Sequence, residues 1–151
     1  MNVLDSVGTP AQHDIVVQHV RHYVIHQWGV ASLDNWKHDA HLAAYGPLPD
    51  FLAHLGIETP NGLCHHTILP PGKQVAPHEH PWPAFIFYPA AHKSPLVVKV
   101  SHGTDACEMI STTPGRLVYV PTGCKHWVLR NMTDHHRIAL AGEITNDWRL
   151  T

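Results

Sequence analysis

From residue 60 onward the chain is cut by Pro and Gly into short apolar runs. They read "LCHHTIL", "AFIFY", "PLVVKV", "ACEMI", "TTPGRLVYVPTG", "KHWVLRN" and "HRIALAGEI". Runs of this length, rich in β-branched and aromatic residues and bounded by turn formers, fit strands. Many short strands at regular spacing predict a mainly β sandwich or barrel. At 151 residues, the chain suits one domain with a sizeable core.

The first 59 residues have a different pattern and are expected to form a helical segment packed on a barrel of residues 60–151. Thr9-Pro10 supplies an N-cap and a first helical residue. Val16, Val20, Tyr23, Val24 and Trp28 follow at helical spacing. The β-branched content leaves a strand over 23–28 as the alternative. A second helix is expected over 34–46 and a short third one over 49–56, closed by Gly56.

Sixteen histidines set the chain apart. Two of them, in "VAPHEHPWPAF", form the pair His78-x-His80. About one or two such pairs arise by chance at this frequency, so the pair needs support from elsewhere. The support lies downstream, in "GRLVYVPTGCKHWVLRN". Gly115 is followed at fixed spacing by Pro121, Gly123, His126 and Asn131, and Gly72 stands five residues ahead of His78.

These two stretches resemble the motifs of the cupin family, G-x5-H-x-H-x3,4-E-x6-G and G-x5-P-x-G-x2-H-x3-N. The second matches with Asn131 one residue late. The first matches through its histidines, but Ala84 and Phe85 occupy the Glu position and the later Gly is missing. The resemblance covers residues 72–131. It implies a jelly-roll type β-barrel over about 60–145 and a homodimer paired through edge strands.

The residues support the same reading directly. Side chains i and i+2 of a strand share a face, with Cα atoms about 7 Å apart. His78 and His80 are therefore expected to point inward together. The turn "PTGC" lets Gly123 take a positive φ, and the strand after it can bring His126 alongside. Three inward imidazoles point to one divalent transition metal held by His78, His80 and His126. The alternative is a metal-free barrel that keeps them as hydrogen-bonded core residues.

Without the carboxylate, three neutral imidazoles leave the ion its full charge, which favours an anionic, chelating ligand. The resemblance implies a dioxygenase or a lyase, since three-histidine cupins include both. The expected function is a mononuclear dioxygenase, with Fe(II) favoured over Mn, Ni, Co, Cu or Zn, acting on a small carbonyl or enol compound. A lyase, an isomerase or a non-catalytic small-ligand binder are the alternatives.

Further candidates surround that centre. Arg130 shares the facing of His126 by alternation and is the candidate to hold a substrate carboxylate. His65 and His66 lie on one strand, so one of them faces inward as a proton carrier or donor; His66 is taken as the catalytic candidate. Tyr119 is a third candidate, with Trp82, Phe85 and Tyr88 as pocket walls. Cys124 lies near the centre in the turn. Glu79 is expected to point away. Glu108, Glu143, His92 and His102 are possible substitutes for the missing carboxylate.

The net charge of −2, with 44% hydrophobic and 15% charged residues, gives no electrostatic reason for nucleic acid or an anionic membrane as partner. No apolar run approaches the roughly 20 residues of a membrane span. The opening residues lack the layout of a signal peptide. Cys64, Cys107 and Cys124 are odd in number and widely spaced, so they are expected to be reduced thiols in a cytoplasmic protein.

Overall fold

The structure, a computed structural model, describes residues 2–29, 42–100 and 105–150. Two antiparallel sheets form a jelly-roll type sandwich. The larger contains β1 (Val3–Leu4), β2 (Leu42–Pro47), β3 (Leu63–Leu69), β5 (Ala84–Tyr88), β8 (Arg116–Val120) and β10 (Arg137–Glu143). Its strand order is β1-β8-β5-β10-β3-β2. The smaller contains β4 (Val75–His78), β6 (His92–Lys99), β7 (Cys107–Thr112) and β9 (His126–Val128), in the order β4-β9-β6-β7.

Two apolar layers hold these sheets. The first lies between them and includes Ile86, Tyr88, Leu96, Ile110, Val118, Val128 and Ala139. The second covers the outer face of the larger sheet, where Cys64, Ile68, Phe85, Phe87, Leu117 and Leu140 meet Val16, Val20 and Val24 of helix α1 (Pro10–Trp28). The larger sheet is thus buried on both faces, and β5 reads as a continuous apolar run for that reason.

Helix α1 starts where the sequence predicts. The Thr9 hydroxyl accepts from the Gln12 backbone N–H, and the Gln12 side chain accepts in return from the Thr9 N–H. This reciprocal cap satisfies two N-terminal donors. Gly29, at φ 64°, ends the helix after Trp28, so 23–28 is helical and not a strand.

The second expected helix is corrected in part. Residues 42–46 belong to β2, which pairs with β3 along its whole length, while 34–41 lie outside the described residues. Leu42, Ala44 and Gly46 are buried in alternation, a period-two pattern that sheet pairing imposes over the helix propensity of Leu and Ala. Residues 1–59 therefore also contribute two edge strands. The third helix is a single turn, α2 (Asp50–Ala53), with Leu52 buried. No helix of the described residues is long and apolar enough to cross a membrane.

Candidate metal centre

Strand β4 pairs with β9, placing Val75 opposite Val128 and His78 opposite His126. Three residues separate the first pair on β4 but two on β9, so β4 carries a bulge. Strict alternation would send Val75 and His78 to opposite faces. The extra residue restores His78 to the inner side, where Val75 already packs against the layer between the sheets.

His80 lies just beyond β4. The turn 121–124 holds it: Gly123, at φ 73°, donates its backbone N–H to the His80 carbonyl at 2.9 Å, while the Cys124 N–H closes the turn onto the Pro121 carbonyl at 3.1 Å. The Trp82 ring stacks on His80 with centroids 5.4 Å apart.

The structure brings His78, His80 and His126 together. Their potential ligand atoms lie within 4.8 Å of one another. Ring centroids are 4.2 Å apart for His78 and His126, 4.9 Å for His78 and His80, and 5.3 Å for His80 and His126. His78 Nδ1 lies 2.8 Å from the Ala76 carbonyl, and His126 Nδ1 lies 2.9 Å from the Cys124 carbonyl. A carbonyl only accepts, so each Nδ1 carries the proton and donates it. Each Nε2 is left with a free lone pair.

Burial pushes the His126 pKa down to about 4. The bond to Cys124 opposes this, and the charges of His78 and His80 add to it. Burial also lowers that of His80, helped by the charges of His78 and His65. Neutral imidazoles are the form that binds a metal, so the donor set fits a divalent transition ion.

No family model and no curated protein sequence matches the chain. Solved structures do. A prolyl-4-hydroxylase from Pseudomonas putida superposes with a TM-score of 0.69 over 95% of this chain and 91% of that one, at 14% identity. A cupin domain from Bordetella pertussis gives 0.50 over 74% and 100%, at 16% identity. Oxalate decarboxylase from Bacillus subtilis gives 0.52 over 76% of this chain, at 19% identity. This chain spans only 28% of the length of that decarboxylase.

The fold is that of the cupins. Within it the motif glycines have a conformational role: Gly72, Gly115 and Gly123 all take positive φ. A Cβ on Gly115 would also meet the His13 ring at 3.0 Å. Asn131, though one residue late, is buried and fully engaged. Its side-chain N–H groups donate to the Leu69 and His135 carbonyls, and its Oδ1 accepts from the Thr133 N–H. Its backbone carbonyl accepts from the Gly72 N–H at 2.7 Å. The two motifs are thus tied together at both ends of β4.

The other candidates divide. His66 does not face this cluster. It shares the outer face of β3 with Cys64 and Ile68, and its ring lies 5.0 Å from Tyr23 of α1. His65 has the inner facing instead. Val118, Ile86, Ala141, His65 and Tyr45 form one cross-strand row, and its Val118 and Ile86 lie in the layer between the sheets. Val118 and Val120 face inward, and Tyr119 packs against the second layer, beside Trp148. Arg130 is exposed past the end of β9, beyond Val128 and away from His126.

Phe85 belongs to the outer layer, and Tyr88 lies between the sheets bonded to Arg137. Glu79 is exposed. Glu108 sits on an edge strand two strands from His126, with Val98 between them. Glu143 follows Ala141 on the inner face of β10 but is outside the histidine cluster. His92 is bonded to the His135 carbonyl, and His102 lies outside the described residues. A cleft of about 550 Å³ opens along Val3, Val98, Ile110, Val118 and Cys124. None of the three histidines lines it.

Proposed function

We propose that His78, His80 and His126 hold one divalent transition metal, Fe(II) in the first place, and that the protein is a metal-dependent dioxygenase for a small chelating carbonyl or enol compound. The observation that carries this reading is the pair of Nδ1–H donations from His78 and His126, which leaves two Nε2 lone pairs beside His80. An ion held by these three imidazoles would supply Lewis acidity at an all-neutral ligand set.

The residues around it bind and orient. Gly123 fixes the His80 backbone, Trp82 covers its ring, and Ala84, Ile86, Val98 and Val120 contribute to an apolar interior that limits water. An enolate would bring the negative charge that no carboxylate ligand provides. A lyase is the second reading, supported by the likeness to the oxalate decarboxylase, which is described with Mn(II) centres. Open backbone groups on the edge strands β2, β4 and β7 support a homodimer. The three free cysteines support a cytoplasmic location.

The test is metal stoichiometry by elemental mass spectrometry on untagged protein, followed by oxygen uptake with pentane-2,4-dione. One equivalent of metal with oxygen consumption is expected. Turnover without oxygen would favour the lyase, and a chain that takes up no metal on reconstitution would remove both readings.

A further inference from the structure

We infer that His65, with Tyr45 packed on its ring, holds an oxygen atom of the substrate opposite the three histidines, and so selects compact enolisable dicarbonyl compounds over carboxylate-bearing ones. The inference rests on the metal-dependent reading above and names the substrate class for that same site.

Its first support is placement. His78 and His126 project from the smaller sheet, and His65 projects from the larger one into the space between them. His65 is near enough for its charge to act on His80, yet it stands outside the cluster of three. A ligand held at the three histidines would lie on the side of the larger sheet that His65 faces.

The second support is its unspent hydrogen-bonding capacity. Among the described residues the ring nitrogens of His65 have no hydrogen-bond partner, whereas those of His78 and His126 are each tied through Nδ1. A half-buried imidazole with both a donor and an acceptor free suits a polar atom of a ligand. Tyr45 limits the ring's freedom: the centroids are 4.5 Å apart, and the two residues are direct cross-strand partners. Orienting the ring in advance lowers the cost of forming that bond.

The third support concerns charge and size. The row that carries His65 continues as Ala141, Ile86 and Val118, all apolar. Arg130, the sequence's candidate for a carboxylate, is exposed past β9. A substrate carboxylate would thus meet an imidazole and a hydrocarbon wall, while a neutral methyl ketone would fit both.

The test uses the full chain loaded with Fe(II) under anaerobic conditions and titrated with pentane-2,4-dione, followed by the absorption of the metal-bound enolate. His65→Leu should keep one equivalent of metal and bind the dione about tenfold more weakly, the effect of one lost hydrogen bond to a charged group. His65→Gln, which keeps an N–H donor, should stay within about threefold of wild type. Equal dione affinity in all three proteins, or an equal loss in both variants, would overturn the inference and leave the metal reading standing. Loss of metal in both variants would make His65 a ligand and also overturn it. Tighter binding of pyruvate than of the dione to wild type would overturn the substrate class. Failure of the wild type to take up metal would instead defeat the underlying reading.

Discussion

Gly123 donates its backbone N–H to the carbonyl of His80 at 2.9 Å, so the turn that precedes one histidine of the cluster also fixes the segment that carries another. The bond depends on φ 73° at Gly123. A Cβ there costs about 1–2 kcal/mol. Gly123→Ala should therefore lower stability by about that amount and weaken metal binding about tenfold, while leaving the β4–β9 pair in place. Gly123→Asn, which tolerates this conformation, should restore most of both. Urea denaturation and competition with a chelator measure the two effects.

Substituting the histidines should affect metal far more than fold. His78→Ala, His80→Ala and His126→Ala each remove a donor, and the loss of affinity should exceed the roughly 10–100-fold typical of changing a ligand's supporting partner. The far-ultraviolet circular dichroism should stay close to wild type, because His78 and His80 are only half-buried and the buried His126 bonds through its ring only to the carbonyl of Cys124 in its own turn. Full metal occupancy in any one variant would exclude that histidine as a ligand.

Arg130→Ala and Tyr119→Phe should leave metal content and dione affinity within about twofold of wild type, in line with surface changes and with a side chain on the far face of the sheet. A large loss in either would mean that the chain approaches the centre from a side this packing does not provide.

The contrast between these residues and His65 shows where the sequence was legible. Turn glycines, the period of α1 and the spacing of the two motifs each have a local cause, and each appears as read. Facing on β3 does not. Cys64, His65, His66 and Thr67 offer no apolar–polar alternation, because both faces of that strand are covered, one by α1 and one by the smaller sheet. The facing of Tyr119 is hidden for the same reason, since it lies among Leu117, Val118 and Val120, which are all buried. β2 was hidden by the helix-forming character of Leu42, Ala43 and Ala44, and only its pairing with β3 reveals it.

Gly46 should resist any larger residue. A Cβ there would lie 2.5 Å from His66 Nε2 and 3.0 Å from the Tyr23 ring. Both neighbours are held in the packed layer under α1, so neither yields freely. Gly46→Ala should cost about 1–3 kcal/mol by overpacking, read as a lower urea midpoint with an unchanged slope. A neutral result would mean that the His66 ring swings away without loss.

His66 itself should make the fold acid-sensitive. It is fully buried; its Nε2 donates to the Pro47 carbonyl at 3.3 Å, and its Nδ1 has no partner. Burial pushes its pKa down to about 4, opposed by the Pro47 carbonyl and reinforced by the charges of His19 and His65. An unfolded histidine titrates near 6.5. Between these values the unfolded chain binds the extra proton, so stability must fall as the pH drops from about 6.5 to about 4 and then level off. The contribution lost is on the order of 3 kcal/mol. His126 is depressed too, so the informative quantity is the difference between wild type and His66→Gln in the same metal state. Urea unfolding at several pH values across this window should give a shallower decline for the variant. Parallel curves would show that the proton enters the folded protein at His66 without penalty, and that Nδ1 is reached by water when the ring is charged.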